Sequence, residues 1–496
     1  MLIVDSLLNE DKSSNVNKTI ALSLASFLNT CMNVILLMLI ARCLEKQEVS
    51  VYMQSMMVYN TLFPFLQLGI TNGLYYVLVN DEKHAHKLIM NGIAITFIST
   101  GSVSLFFMLG GNCVLADYLH NDQIINALLW IVPYMIVGAA ESVIIVGYIY
   151  YNRIRFVAYY NVIKSIICVC VLILTTQVTG KGEWLIASRA IMSCVCGFTI
   201  IFALYKYVIK SFNISVDRKS IYIILKVSLP LGIASMAGNM SGKLDQWIIS
   251  TMLSPEIYAI YQMGAYELPV ISMITGAIST VVIVEINKAV KNGEVDKAIW
   301  LFSRIAEKTS LILMPCMVFF LCASRDLICF LFTERYVDSV PVFCVYLLYI
   351  PIRCVIYGPM FIALGKSKNV MYREFISLVL NLFLSVIMVR CLGMIGAALA
   401  TIVTSYCFGV VYNIYSLSKW TFTPWWKILP FKRMIEFIVI SLPGGMITLL
   451  LSNEMNNDLY LVNVIVECVV FTVITMYLYK VLLHITPLMI IKAVRK

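Results

Sequence analysis

Along the chain, apolar residues gather into long runs separated by short polar or charged segments, with little of the alternation that marks a half-buried strand. Crossing the hydrocarbon core of a bilayer takes roughly 20 predominantly apolar residues as a helix. Fourteen runs of about that length occur, at 19–41, 53–79, 88–109, 124–150, 157–178, 184–205, 227–251, 257–284, 309–324, 340–364, 370–389, 394–416, 434–451 and 459–482. The pattern predicts an all-α integral membrane protein of about fourteen transmembrane helices. The first run follows Lys12 and Lys18, is too long for a signal-peptide core and precedes no small-x-small cleavage site, so it reads as retained.

Composition agrees and removes alternatives. Of 496 residues, 60% are hydrophobic and 13% charged, with mean hydropathy +0.88, which argues against a soluble enzyme. The net charge of +10 would otherwise raise nucleic acid as a partner, but its distribution gives a different cause. Alternate inter-run segments hold 27 of the 37 Lys and Arg, the other segments six, and the spans four. Basic segments stay cytoplasmic during insertion, so both termini are expected inside a bacterial plasma (inner) membrane, with an even number of spans and no nucleic-acid role. The 15 cysteines lie singly in apolar runs without a CxxC pair and read as small apolar residues, not as a disulfide or metal framework.

No soluble domain fits in the loops, of which 206–226, 285–308 and 417–433 are the longest. The stretch Glu285 to Lys308 mixes charge with Val290, Val295, Ile299, Leu301, Phe302 and Ile305, which suggests either a short helix lying on the inner membrane surface or a solvated connector. An internal repeat is also visible. Leu44 to Tyr52 matches Leu253 to Tyr261 at an offset of 209, Asn152 to Arg155 matches Gly365 to Lys368 at 213, and the small-residue stretch from Gly182 matches that from Gly393 at about 212. Six spans separate the copies, so both halves enter the membrane the same way round, as in parallel-repeat transporters. The expected organisation is a six-helix bundle over 1–210, a second over 211–418 around a central cavity, and two further transmembrane helices with a cytoplasmic tail over 419–496.

Specific residues narrow this. The segment from Ser228 through Pro230, Gly232, Asn239, Lys243 and Asp245 to Ser250, with Leu253 to Tyr261 after it, resembles the seventh-helix motif of polysaccharide-unit flippases. Ala41 to Tyr52 resembles the end of their first helix, and Gly393 to Ala400 their twelfth. These are the Wzx-type members of the multidrug/oligosaccharidyl-lipid/polysaccharide exporter superfamily. The resemblance implies flipping of undecaprenyl-diphosphate-linked oligosaccharide repeat units across the inner membrane, for capsule, O-antigen or exopolysaccharide assembly. Membrane lipid and polysaccharide polymerase machinery would be the accompanying partners.

Ionisable side chains inside spans cost at least about 2.5–3.5 kcal/mol on insertion scales, so each should face a wet cavity or a partner. The substrate-binding candidates are therefore Arg353, Lys243, Asp245, Glu141, Lys164, Arg189 and Glu267, with Asn239 one turn before Lys243 and the pair Asn29 and Asn33, four residues apart on one face. A cationic cavity would attract a diphosphate. Structural alternatives stand beside each: snorkelling for Lys243 and Arg189, a Lys243–Asp245 pair, a lysine partner for Glu267, and interhelical bonding for the asparagines. Glu141 and Asp245 are the coupling-ion candidates, for a proton or sodium gradient. Glu374 and Glu467 read as near-terminal or peripheral charges. Tyr134, Tyr266 and Tyr357 are candidate stacking platforms for sugar rings. Pro64 and Pro269 fall one helical turn apart under the repeat, predicting bent second helices in both halves.

No HExxH, GxSxG, P-loop or dinucleotide fingerprint is present, so no enzyme activity, metal or cofactor is expected. Two other readings remain open: a cation-coupled multidrug exporter of the same superfamily, and a membrane polysaccharide polymerase, which would want a long outer loop that this sequence lacks.

Overall fold

A computed structural model describes residues 15–80, 84–204, 217–455 and 459–484. Lys12, Lys83, Lys206, Lys210, Lys492, Arg495 and Lys496, on which the expected inner bias partly rests, lie outside the described residues. Among the described residues there is helix and no strand. A lipid environment requires this, because a spanning segment must satisfy its own backbone N–H and C=O groups.

The helices of the first half are α1 (Asn15–Cys43), α2 (Lys46–Gln67), α3 (Ile70–Asn80), α4 (Ala85–Phe106), α5 (Asn112–Tyr118), α6 (Ile124–Tyr150), α7 (Ile154–Thr179), α8 (Gly182–Leu204), α9 (Arg218–Ser241) and α10 (Leu244–Met252). Then come α11 (Pro255–Gly264), α12 (Pro269–Lys291), α13 (Val295–Cys322), α14 (Ser324–Phe332), α15 (Val340–Leu347), α16 (Ile350–Arg353) and α17 (Tyr357–Ala363). The last are α18 (Ser367–Leu392), α19 (Met394–Thr404), α20 (Asn413–Thr421), α21 (Trp425–Ile428), α22 (Phe431–Glu454) and α23 (Tyr460–Leu483).

Among the described residues, ten helices are long and apolar enough to cross a membrane, and the chain is a multi-pass membrane protein. They correspond to ten of the fourteen apolar runs. The other four, the second, seventh, eighth and tenth, are divided between shorter helices. In the second run α2 stops where Leu68 (φ 48°) and Gly69 (φ 69°) are both left-handed, four residues after Pro64. Ser99 Oγ of α4 donates to the Leu66 carbonyl at 2.6 Å, satisfying an acceptor near the break. In the eighth run residues 265–268 are non-helical and Pro269 opens α12, where its missing N–H costs nothing. The eighth run is thus interrupted at the expected proline, whereas α2 continues through Pro64 and breaks four residues later.

The stretch 285–308 is not a separate surface helix. It is the end of α12 and the start of α13, joined by a turn at 292–294 in which Gly293 has φ 78°. Part of its apolar surface faces protein: Ile286, Ile299 and Phe302 are buried, and Phe302 lies 5.5 Å from the Tyr357 ring, whereas Trp300 is exposed.

The described chain forms two compact units, Met1–Ala259 and Ile260–Lys496. In the first, α6 is the hub, packing against α2, α3, α4 and α8, and it runs unbroken through Pro133 with Glu141 as its one charged residue. The seventh run groups with this unit, whereas the repeat counts it with the second bundle. Gly69, Gly73 and Gly232 bring backbones together there: a Cβ on Gly69 would meet Gly232 N and Ser228 O at 2.4 Å. Beyond the break at 242–243, Trp247 Nε1 donates to Thr61 Oγ1 at 2.9 Å and Gln54 Nε2 to Ser250 Oγ at 2.8 Å, tying α10 to α2. In the second unit α13 packs on α12 and α22, α22 on α23, and α18 on α19.

Candidate functional site

Within the first unit, α1, α6, α7 and α8 enclose a cavity of about 250 Å³. Five of the sequence candidates line it: Asn29, Asn33, Glu141, Lys164 and Arg189. Polar groups sit here on otherwise apolar helices, so each must find a partner or water. Lys164 of α7 reaches across to Glu141 of α6, with Nζ 2.7 Å from Oε1 and 2.5 Å from Oε2, and its ammonium lies 5.9 Å from the Tyr160 ring centre. Glu141 is nearly sealed, whereas Lys164 keeps some exposure.

Arg189 of α8 donates from Nη1 to Tyr52 Oη at 2.6 Å and to Met56 Sδ at 3.5 Å, with its guanidinium 5.8 Å from the Tyr52 ring centre. Tyr52 closes the Leu44 to Tyr52 motif, so the repeat element near the first helix supplies the ligand that holds this arginine. Among the described residues Arg189 makes no ion pair with a carboxylate. Counting Lys164, Glu141 and Arg189, the cavity carries one more positive than negative charge.

Of the two asparagines, Asn29 bonds between helices and Asn33 within its own. They line the cavity, while Ser165 Oγ donates to Asn29 Oδ1 at 2.5 Å between α7 and α1, and Asn33 Nδ2 bonds the Asn29 carbonyl at 3.0 Å. Asn161, Ser165 and Ser193 also line the cavity and were not among the sequence candidates. Asn161, Lys164, Ser165 and Cys168 follow the i, i+3, i+4, i+7 pattern of one helix face, a polar stripe that could have revealed the first two.

The remaining candidates lie elsewhere. Asn239, Lys243 and Asp245 are not among the cavity's lining; Lys243 precedes the first turn of α10, Asp245 is buried within that turn, and Asn239 Nδ2 bonds the Ser235 carbonyl at 2.9 Å. An acid in a first helical turn is favoured by the unpaired N–H groups there. In the second unit Arg353 and Glu267 meet at 3.0 Å, and Arg353 also lies 5.0 Å from the Tyr349 ring centre. Both flank helix breaks, Arg353 ending α16 and Glu267 in the non-helical 265–268.

Of the aromatic candidates, Tyr134 lines the cavity and stacks on Tyr59 at 4.3 Å. Tyr266 meets Phe332 edge-on at 6.1 Å. Tyr357 is buried between Phe302 and Phe361 and offers no open face, because neighbouring aromatics pack on it from two helices. Glu467, expected to be peripheral, is fully buried, with α14 and α22 packed over it.

A family profile described as "Polysaccharide biosynthesis protein" matches residues 39–341, a range that includes the motifs at 41–52 and 228–261. The fold is similar to that of the lipid II flippase MurJ in an inward closed conformation, with TM-score 0.72 and 18% identity over 94% of this chain and 100% of that one. It is also similar to an inward-facing multidrug resistance MATE family transporter of the MOP superfamily, with TM-score 0.57 and 14% identity over 80% and 96%. A MOP superfamily transporter from Pyrococcus furiosus matches with TM-score 0.57 and 13% identity over 84% and 98%. At these identities the likeness is one of fold. No curated protein matches the chain.

Proposed function

The chain belongs to the polysaccharide biosynthesis protein family, and on that premise we propose that it flips undecaprenyl-diphosphate-linked oligosaccharide repeat units across the bacterial inner membrane by alternating access. The observation that carries this reading is the excess positive charge of the first unit's cavity. Lys164 and Arg189 face one space whose single carboxylate, Glu141, is already matched. A phosphate oxygen entering it meets two fixed cations in a partly desolvated site, where charge-assisted hydrogen bonds are strong. The amides of Asn29, Asn33 and Asn161 add donors and acceptors suited to sugar hydroxyls.

The fold shared with a lipid II flippase supports a lipid-linked substrate. The multidrug-exporter reading is favoured by the MATE likeness, but a cationic drug would find no uncompensated carboxylate in this cavity. Glu141 serves as the coupling residue in the proposal: when phosphate takes over Lys164, the buried carboxylate loses its counter-charge, and a proton or sodium ion takes that place.

The deciding experiment deletes the gene and follows lipid-linked repeat units by leaflet. Accumulation on the cytoplasmic leaflet with loss of surface polysaccharide, restored by wild type and not by Arg189→Ala at equal membrane abundance, is expected. Normal surface glycan with greater sensitivity to cationic drugs would move the protein to the exporter reading.

A further inference from the structure

Two carboxyl groups in the second unit have no role in the site described above. Asp326 lies in the first turn of α14 and is 1% exposed; Glu467 lies two turns into α23 and is 0% exposed. Glu467 faces Asp326 and Ser452 Oγ, yet neither of its oxygens has a hydrogen-bond partner among the described residues. Ser452 of α22 uses its one hydroxyl proton on Asp326 Oδ2, at 2.6 Å. Two acceptor-only carboxylates thus confront each other out of water.

The charged and titratable groups around them do not resolve the conflict. Arg325, beside Asp326, is exposed. Glu334 is also exposed and accepts from the Tyr460 hydroxyl. From α13 the Cys322 thiol faces Glu467, and on α14 Cys329 faces Asp326. No lysine or arginine bonds either carboxylate among the described residues. Adjacent buried carboxyl groups without a cation cannot both ionise.

We infer that Asp326 and Glu467 form a proton-binding site in which Glu467 carries the proton and donates it to Asp326 Oδ. The assignment within the pair follows from surroundings. Asp326 accepts the Ser452 hydroxyl and stands in the first turn of α14, where a helix terminus attracts negative charge. Glu467, within a long helix, has neither. With the proton, the pair is a hydrogen bond that ties α23 to α14; without it, two negative charges oppose each other across the same contact. Helix α23 is therefore latched by a proton, and its hold weakens as the site deprotonates. This inference is independent of what the first unit's cavity binds.

The test is infrared difference spectroscopy on the full chain in lipid nanodiscs at neutral pH. The wild type minus Glu467→Gln spectrum should show the C=O stretch of one protonated carboxylic acid. Asp326→Asn should retain that band at a shifted frequency, because an amide replaces the carboxylate acceptor, and this variant stands in if Glu467→Gln fails to fold. Raising the pH on wild type should abolish the band and lower the thermal unfolding midpoint. Only carboxylate bands in the neutral-pH difference spectrum would overturn the site, as would loss of the protonated band on adding sodium at constant pH, which would assign the pair to a metal cation.

Discussion

The two charge pairs that the spans contribute to the candidate set differ in how they are held. Glu141 and Lys164 stand on continuous helices, and their side chains are 7% and 24% exposed. Glu267 and Arg353 stand beside helix breaks and are 46% and 43% exposed. The first geometry places the ions in a fixed cavity wall, where the nearly sealed Glu141 has little access to water. The second leaves both ions hydrated and able to part. A buried pair is thus a structural commitment as well as a binding one, while an exposed pair can change partners at little cost in stability.

The sharpest way to break the comparison is to remove one ion from each pair. Lys164→Ala should destabilise by about 3–5 kcal/mol, because it strands the buried Glu141 carboxylate. Unfolding in detergent measures this, and adding Glu141→Leu should recover most of the loss. Equal destabilisation by the single and double variants would show that the pair's burial is not what matters.

Next in size is the backbone contact that joins the seventh span to the first unit. Gly69→Ala places a Cβ at 2.4 Å from two backbone atoms and on a left-handed residue. Overpacking costs roughly 1–3 kcal/mol, here with no flexible side chain to yield, so the folded fraction in size-exclusion chromatography should drop. Gly101→Ala, which meets nothing within 4 Å, should leave it unchanged.

Arg189→Ala removes a charged hydrogen bond worth about 1.5–3 kcal/mol and should lower flipping roughly tenfold or more in a leaflet assay. Arg189→Lys keeps the charge but loses the planar geometry toward Tyr52, and should fall between. The smallest stability effect belongs to Arg353→Ala, which should change unfolding by about 1 kcal/mol or less. A loss as large as that of Lys164→Ala would erase the contrast between the two pairs.

Much of the fold was legible in the apolar runs, since ten of them are continuous helical spans, two of these through a π-helical stretch. The breaks were legible in part. Pro64 and Pro269 marked the second and eighth runs, but the left-handed Leu68 carries no signature in sequence. Lys164, Glu141 and Arg189 stood out because charge within an apolar run is costly wherever it points. That Lys164 meets Glu141, and that Lys243 and Asp245 lie outside the cavity, depended on which helix faces turn inward. The stretch 285–308 misled because the apolar periodicity of a surface helix and that of two helices packing against protein are the same. Glu467 misled because burial depends on α14 and α22 covering it, not on its place in the run.

The helical membrane class, the family motifs and the set of side chains in need of a partner all follow from the amino-acid sequence alone. These follow from local quantities: run length, charge, and the transfer cost of each residue into hydrocarbon. Which charges share a space, and which acids lack a cation among the described residues, came from packing. Those outcomes turn on the rotation of each helix about its axis and on where it breaks, and close backbone contacts such as that of Gly69 with Gly232 settle both.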